Sequence, residues 1–182
     1  RTHCMPWSTW SSHASVENAH GIRFDVNYYY WPGSWIQNRP GMFTGSGMPM
    51  RFSNMTGSII DCYQGPTVIT DESGQTISTH INSLLDKALG AEGYYGAFVM
   101  NMHTDTADHT GSNTIISAAL SRNVPVISAK QMLEWLDTRN GTVFGPMTWS
   151  NNELSFSITT SAHNLQAMVP VKAATGTLIQ VT

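Results

Sequence analysis

The sequence predicts an α/β fold for residues 1–145, followed by an antiparallel β appendage over residues 146–182. Between residues 79 and 140, helical and strand-like patterns alternate with short links, which is typical of right-handed βα units around a parallel sheet. After residue 145, apolar residues recur at every second position, and no helical pattern separates the strand candidates. We therefore expect a (β/α) architecture that is followed by a β appendage. The strand pattern of this appendage is typical of the start of a sandwich module.

Five segments of the first part carry strand patterns. Apolar and polar residues alternate over residues 22–28 and 97–103, which predicts two strands with one polar face each. Shorter strands are predicted over residues 49–52, 58–63 and 124–127. The first two are the most informative because a strand that is polar on one face commonly lines a site.

Three helices are predicted from the apolar spacing. The first presents one apolar stripe, which consists of Ile81, Leu84, Leu85, Ala88 and Leu89. It ends at Gly90, a residue type that commonly terminates helices. A second helix begins near Ser112. A third begins after Ser128, which forms a capping box with Gln131, and ends near residue 140.

The composition of the chain indicates which classes of molecule it is expected to bind. Charged residues make up only 12% of the chain, against about 25% in an ordinary soluble domain. Hydroxyl and amide residues replace them, which favours a secreted or cell-surface protein that handles sugars. The net charge of −3 and the scattered Lys and Arg residues argue against a nucleic-acid partner. No apolar run approaches the ~20 residues that span a bilayer, so no membrane span is expected.

The two ends of the sequence favour an excised segment of a longer protein. The chain opens at Arg1 without Met and closes in a strand-like run. The upstream half of the same protein, or another chain, is the expected partner, since a partial sheet leaves unpaired strand edges. Cys4 and Cys62 have no metal-ligand spacing. They pair in an exported protein or lie buried as small apolar residues in a cytosolic one.

The polar faces of the two alternating strands predict the functional site. Side chains in a strand point to opposite faces with period two, so Arg23, Asp25 and Asn27 share one side. Asn101 and His103 share a side in the later strand. A parallel strand that carries such residues typically contributes to the mouth of a (β/α) fold.

His103 is the best single candidate for catalysis, because a histidine after a parallel strand is well placed for general acid–base chemistry. Asp105, and also Asp108 or His109, could orient its ring or hold a metal with it. Asp25 could position a base, bind a metal or accept sugar hydroxyls. The alternatives are that His103 only hydrogen-bonds a loop and that Asp25 forms a structural pair with an arginine.

Other signals are weaker. The motifs HExxH, GxSxG, GxGxxG and the P-loop are absent from the sequence. The histidines in isolated polar segments are predicted to be solvated, namely His13, His20, His80 and His163.

A cluster of aromatic residues suits a sugar site, because aromatic faces stack on pyranose rings while amides and hydroxyls bind the sugar hydroxyls. Its members are Tyr28, Tyr29, Tyr30, Trp31, Trp35 and Phe43. The alternative is that many of these rings pack a long loop onto the fold.

The order of these segments resembles the second half of the polysaccharide deacetylases, the NodB-homology (β/α) barrel. Residues 1–4 correspond to the family's Arg-x-Pro-aromatic strand, although His3 replaces its Pro. Residues 21–30 correspond to the strand with an orienting Asp, here Asp25. Residues 100–105 resemble the late Leu-x-x-His-Asp strand, and residues beyond 112 resemble the closing helix, strand and helix.

The resemblance implies the second half of a distorted barrel and a metal-dependent hydrolase that acts on acylated or amino-sugar polymers. His103 would be the catalytic acid, Asp25 would orient it, and Arg1 or His3 would help to hold the site. A zinc-like divalent metal is implied, with its Asp-Asp and His-x3-His ligands upstream of Arg1. The stretch 32–79 is longer than the family's usual link.

Two other functions remain open. One is a catalytically inactive carbohydrate-binding or adhesion module of an exported protein. The other is a barrel glycoside hydrolase, which needs two carboxylates about 5 to 10 Å apart, here Asp25 and Asp105. The predicted catalytic residues are His103, Asp25 and Asp105. The predicted substrate-binding residues are Arg1, His3, Arg23, Asn27, Tyr30, Trp31, Trp35 and Asn101.

Overall fold

The structure is a computed structural model that describes residues 7–28, 38–39, 47–93, 96–105, 109–169 and 171–181. In these residues the chain is mixed α/β, as predicted, with four helices and several small sheets. None of the sheets formed by these residues closes into a barrel. The chain divides into two compact units, Arg1–Leu133 and Glu134–Thr182.

The first unit begins with a helix on a three-stranded sheet. Helix α1 (Ser12–Ala19) precedes β1 (Phe24–Asp25), β2 (Met50–Ser53) and β3 (Ile59–Gln64). Strand β3 lies in the middle, parallel to β1 and antiparallel to β2. The apolar core between helix and sheet contains Ala14, Phe52, Ile60 and Cys62, with Trp7 and Tyr28 packed against it.

Strands β2 and β3 confirm the strands predicted over residues 49–52 and 58–63. Hydrogen bonds within the turn between them fix its shape. The Oδ1 atom of Asn54 accepts hydrogen bonds from the backbone N–H groups of Thr56 and Ser58, each at 2.9 Å. Gly57 has a φ of +85°, which a glycine adopts without strain. The strand predicted over residues 22–28 is shorter in the structure, since only β1 forms ladder pairs there.

The rest of the first unit contains a strand–helix–strand motif. Strands β4 (Thr67–Thr70) and β5 (Val99–Asn101) are parallel, and α2 (Ile77–Leu89) lies between them in the chain. Helix α3 (Thr110–Leu120) follows β5 and contacts α2. The apolar core of this motif and α3 contains Val68, Ile69, Ile81, Leu84, Leu85, Ala118 and Ala119. Of the predicted apolar stripe of α2, Ile81, Leu84 and Leu85 face this core, whereas Leu89 at the end of the helix is exposed. The predicted alternation of helix and parallel strand is confirmed here.

Gly65 joins β3 to β4 at a point where the strands are tightly packed. A Cβ atom on this residue would lie 3.0 Å from Cζ of Phe24 and 3.3 Å from Cγ2 of Val99. Both distances are shorter than an ordinary van der Waals contact. A larger residue here would therefore require the side chains of Phe24 and Val99 to shift by a few tenths of an ångström.

Helix α4 (Ala129–Asn140) begins with the predicted capping box. The backbone N–H of Ser128 donates to Oε1 of Gln131 at 2.8 Å, and the N–H of Gln131 donates to the Ser128 hydroxyl at 3.3 Å. The strand predicted over residues 124–127 is wrong, since these residues form no ladder. Pro125 has no N–H to donate, and the Val124 N–H bonds back to Ala119.

The second unit consists of the end of α4 and three small antiparallel strand pairs, so the expected antiparallel pairing is present. The pairs are β6 (Val143–Phe144) with β9 (Ile158–Thr159), β7 (Thr148–Ser150) with β8 (Glu153–Ser155), and β10 (Lys172–Ala173) with β11 (Gly176–Thr177). The strand expected over residues 154–159 is divided between β8 and β9, and residues 167–169 and 178–181, where strands were also expected, form no ladder. None of the described side chains between 141 and 181 is buried. The division between the units falls within α4, and the domain boundary predicted at residue 145 stays a prediction.

Among the helices that the structure describes, none has both the length and the apolar character that a membrane crossing needs.

We expect Leu84→Ala to lower the free energy of unfolding by about 2–5 kcal/mol, because Leu84 is 2% exposed in the core of the first unit. The matched control on the same helix is Leu89→Ala, since Leu89 is 58% exposed, and its loss should stay below about 1 kcal/mol. Urea denaturation followed by circular dichroism measures both. Equal losses in the two variants would contradict the packing of α2.

Candidate functional site

The carboxyl ends of β4 and β5 bring together a group of ionisable side chains, called here the His103 cluster: Asp71, Glu72, His103 and His109. Thr70 pairs with Asn101 in the parallel register, so the residues that follow both strands emerge at one edge. The turn after β4 is fixed because the Ser73 hydroxyl donates to the carbonyl of Thr70 at 2.7 Å. This turn keeps Asp71 at the edge.

Asp71 holds His103 through two different groups. The backbone N–H of His103 donates to Oδ2 of Asp71 at 2.9 Å. The ring nitrogen Nδ1 lies 2.9 Å from Oδ1 of the same carboxylate. Since an ionised carboxylate only accepts hydrogen bonds, Nδ1 carries the proton of this contact. Nδ1 is thus committed to Asp71, and Nε2 is the nitrogen left for proton exchange.

His109 adds a second imidazole to the same carboxylate. It caps α3, and its Nδ1 accepts a hydrogen bond from the N–H of Ser112 at 3.3 Å. In the neutral ring the proton then resides on Nε2, which lies 3.3 Å from Oδ2 of Asp71. Two N–H groups of His103 therefore donate to the Asp71 carboxylate, and the His109 ring lies beside it.

The two main partners shift each other's pKa in opposite directions. Burial acts to raise the pKa of Asp71, but hydrogen bonds from the backbone and ring of His103 outweigh it, and the pKa is lowered. The hydrogen bond to Asp71, and then its negative charge and that of Glu72, raise the pKa of His103. The pair is therefore stabilised as carboxylate and imidazolium.

The predicted residues near His103 have different positions. Asp105 is exposed, and its charge adds to the rise in the His103 pKa as the smallest of the causes. The residue that orients the ring is Asp71, which the sequence analysis did not select. Asn101 lies in β5 at the paired end, and Asp108 lies outside the described residues.

A second group of polar side chains lies between α1 and its sheet. This group, called here the His13 cluster, consists of His13, Glu17, Asp25, Asn27, Cys62 and Gln64. His13 and Glu17 are four residues apart on α1 and face the same way. Asp25 and Gln64 are direct partners in the β1–β3 ladder, so their side chains share a face of the sheet.

A tight turn directs the chain from α1 into β1. The N–H of Gly21 bonds to the carbonyl of Asn18, and the N–H of Ile22 bonds to that of Glu17. With Gly21 at a φ of +78°, this pair of bonds is a Schellman motif. The motif ends α1 and brings Asp25 back beside the helix face that carries His13.

The contacts of the His13 cluster centre on one ring nitrogen. Nε2 of His13 lies 3.2 Å from Oε1 of Glu17, 3.7 Å from Oδ2 of Asp25 and 3.0 Å from Nδ2 of Asn27. The N–H of Asn27 also donates to Oδ2 of Asp25 at 2.8 Å. Glu17, Asp25 and Asn27 are buried, so water reaches little of this group.

Cys62 and Gln64 cover the cluster from β3. The Gln64 amide donates to Oε2 of Glu17 at 3.0 Å, and the Cys62 thiol lies 3.5 Å from the same oxygen. Burial, followed by the charge of Glu17, raises the pKa of Cys62 to about 12. Cys62 is therefore a protonated, buried thiol at neutral pH.

The structure confirms only part of the polar face that the sequence predicts for residues 22–28. Asp25 and Asn27 do share the inward face. Arg23 instead donates from Nε to Asp61 at 2.8 Å, on a half-exposed part of β3. The reason is that β1 begins at Phe24, so the period-two alternation does not extend to Arg23. The expected catalytic set is thus divided, since Asp25 contacts His13 and His103 contacts Asp71.

Two histidines predicted to be solvated are not. The side chain of His13 is 15% exposed, and His80 is fully buried in α2. His20 and His163 are exposed, as predicted. Five predicted substrate-binding residues lie outside the described residues: Arg1, His3, Tyr30, Trp31 and Trp35.

Sequence signals for the missed residues were present. Residues 67–70 form an apolar, β-branched run that ends in Asp71 and Glu72, which is the pattern of a buried strand that leads into a site. The spacing of His13 and Glu17 matches one face of a helix.

Comparison of the chain with family models, with curated proteins and with solved structures gives no significant match in any of the three. The resemblance to polysaccharide deacetylases therefore stays a prediction from the sequence.

We expect the substitution Asp71→Asn to lower the pKa of His103, since it removes the charge and the strong acceptor that raise it. NMR titration of the ring protons measures this pKa, and His163 in the same spectra serves as an internal reference. An unchanged pKa for His103 in the variant would contradict the contact.

The same pair predicts how stability depends on pH. The raised pKa of His103 contributes stability below about pH 6.5, which is lost as pH rises through the folded value. The lowered pKa of Asp71 contributes stability above about pH 3.9, which is lost as pH falls through its folded value. The free energy of unfolding should therefore fall most in Asp71→Asn, relative to the unsubstituted chain, between these two pH values. A difference that is constant from pH 4 to pH 9 would contradict this account.

Proposed function

We propose that this chain belongs to a metal-dependent hydrolase of the polysaccharide-deacetylase type, which removes acyl groups from acylated or amino-sugar polymers. The observation that supports this most directly is the contact between Asp71 and His103, because it engages Nδ1 and leaves Nε2, 3.7 Å from Oε1 of Glu72, for proton exchange in a histidine whose pKa is raised. A group of this kind is suited to general acid catalysis near neutral pH.

The chemistry proposed for His103 is the donation of a proton to the leaving amine when the acyl–nitrogen bond breaks. Asp71 accepts a hydrogen bond from Nδ1–H, which fixes the tautomer and stabilises the imidazolium before it gives up the proton of Nε2. His109 and the backbone N–H of His103 hold the carboxylate in place. A bound divalent metal would lower the pKa of the attacking water in such an enzyme.

We also propose that the first unit is part of a distorted (β/α) barrel. Two parallel pairs support this, β1 with β3 and β4 with β5, together with α2 between β4 and β5. A partial barrel needs strands from upstream in the same protein or from another chain, because unpaired strand edges would otherwise remain.

A carbohydrate substrate is supported by an aromatic surface near α1. The rings of Trp7, Trp10, Tyr28 and Phe52 contact one another, with centroid distances between 5.1 and 5.6 Å. Trp10 is 63% exposed, and its Nε1 donates to the carbonyl of Ser53 at 3.2 Å. An indole that is held at its edge and exposed on its surface is suited to stacking on a sugar ring. With the low charge of the chain, this favours a secreted or cell-surface protein.

The test is acetate release from N-acetylated amino-sugar oligomers by the full-length protein, with and without added divalent metal. We expect His103→Ala to lower kcat/KM by about 10²–10⁴-fold, which is the usual contribution of a general acid. Asp71→Asn should also lower kcat and should shift the pH profile, because the raised pKa of His103 depends on Asp71. His163→Ala is the matched control, since this histidine is exposed in the second unit.

Two results would overturn the proposal. One is acetate release that persists at full rate in His103→Ala. The other is the absence of release while oligomer binding is retained, which would instead favour a carbohydrate-binding module. In that case, Trp10→Ala should weaken binding and His103→Ala should not.

A further inference from the structure

We propose that His13, Glu17 and Asp25 form a binding site for a divalent first-row metal ion, with Nε2 of the imidazole and one oxygen of each carboxylate as ligands. Their donor atoms all lie within 4.8 Å of one another. The sequence offers Asp25 as a possible metal ligand, whereas the family resemblance places its metal ligands upstream of Arg1. The site proposed here adds His13 and Glu17 to Asp25, and the inference does not depend on the proposed hydrolase activity.

The spacing of the donors suits a metal. With bonds of about 2.0–2.1 Å, two ligands of a tetrahedral zinc ion lie roughly 3.3–3.4 Å apart. The Nε2 atom of His13 is 3.2 Å from the Glu17 oxygen and 3.7 Å from the Asp25 oxygen, so these distances bracket that value. Small side-chain rotations would therefore bring the three donors onto one ion.

The charge of the cluster also favours a cation. Glu17 and Asp25 are 8% and 2% exposed, and both turn an oxygen towards the same imidazole nitrogen. One Nε2 atom has at most one proton to share between them. Buried carboxylates are costly unless they are paired or bound to metal. A divalent ion neutralises both, and it takes the lone pair of a neutral His13 in place of the Asn27 amide, whose Nδ2 lies 3.0 Å from Nε2.

Gln64 gives an independent indication. It is fully buried, it lies opposite Asp25 in the ladder, and its Oε1 has no hydrogen-bond partner among the described residues. Rotating the amide by 180° would not resolve this, because Oε1 would then face the Glu17 oxygen that Nε2 now contacts. A buried acceptor without a donor costs about 1–3 kcal/mol. A metal ion, or a water bound to it, would satisfy this oxygen.

The donor set consists of nitrogen and oxygen atoms, without the sulfur of Cys62, and this limits which metal ions fit the site. Cys62 lies against Glu17, with its thiol 3.5 Å from Oε2, but its Sγ is not among the donor atoms that lie within 4.8 Å of one another, so sulfur is not a proposed ligand. One imidazole and two carboxylates suit zinc, manganese, iron(II) or cobalt(II) better than copper(I) or an iron–sulfur cluster. Zn²⁺ is the first probe, and Co²⁺ reports the ligand type.

The experiment titrates the full chain with Zn²⁺ by calorimetry after metal has been removed with a chelator. We expect saturable binding and a rise in Tm with added Zn²⁺. His13→Ala should reduce the number of tightly bound ions by one, and Glu17→Gln should weaken binding by more than the roughly 10–100-fold typical of outer-shell changes. His20→Ala is the matched control, because His20 is exposed at the end of the same helix.

Two further measurements keep the test decisive if a variant folds poorly. Cys62→Ser should bind Zn²⁺ as the unsubstituted chain does. The Co²⁺-loaded chain should show visible ligand-field bands without thiolate-to-cobalt charge transfer. The proposal is overturned if the folded chain binds no Zn²⁺, if folded His13→Ala binds as many ions as the unsubstituted chain, or if a thiolate band appears. None of these readouts uses hydrolase activity, so failure here is separate from failure of the proposed function.

Discussion

The parallel pairing of β4 with β5 is the constraint on which the His103 cluster depends. Because Thr70 and Asn101 are register partners, the first residues after each strand leave the sheet at the same edge. The apolar face of α2 holds the two strands together through Ile81, Leu84 and Leu85. If this pairing were antiparallel, Asp71 and His103 would lie at opposite ends, and neither pKa shift would arise.

The sheet formed by β1, β2 and β3 buries apolar and ionisable side chains together. Helix α1 covers a face of β1 and β3 that carries both apolar and ionisable side chains. Ala14, Ile60 and Phe52 supply the apolar contacts, while His13, Glu17 and the residues opposite them must satisfy one another. Most of those groups are paired, and the carboxylates that remain close together make a bound cation the simplest way to complete the packing. The proposed ion would therefore couple stability to ligand binding in this part of the chain.

The sequence predicted those features that local patterns specify. The core-facing part of the α2 stripe and the capping box of Ser128 follow from spacing alone, and both are present. Antiparallel pairing after residue 145 is also present, but the bounds of the strands differ from those that the spacing predicts. His103 was selected because it follows a strand. Asp71 was not, because its strand is only four residues long and lies in a stretch rich in Gly and Pro. The strand predicted at residues 124–127 failed because Pro125 cannot donate to a ladder, although the apolar run around it has strand character.

The partners of ionisable residues were the least predictable feature, since they depend on register and on where each strand begins. Arg23 and Asp25 alternate correctly in the sequence, yet the late start of β1 gives Arg23 to Asp61 and leaves Asp25 with His13. A shift of one or two residues in an element boundary is beyond what periodicity resolves, and it decides which charges meet.

The most direct test of the central claim is the tautomer of His103, read from the ¹⁵N chemical shifts of its ring nitrogens above the pH at which the ring loses its charge. The account predicts the Nδ1–H form, because Nδ1 donates to Asp71, and it predicts loss of that preference in Asp71→Asn. An Nε2–H form in the unsubstituted chain would contradict it, since Asp71 would then not hold the ring and Nε2 would not be free to exchange a proton.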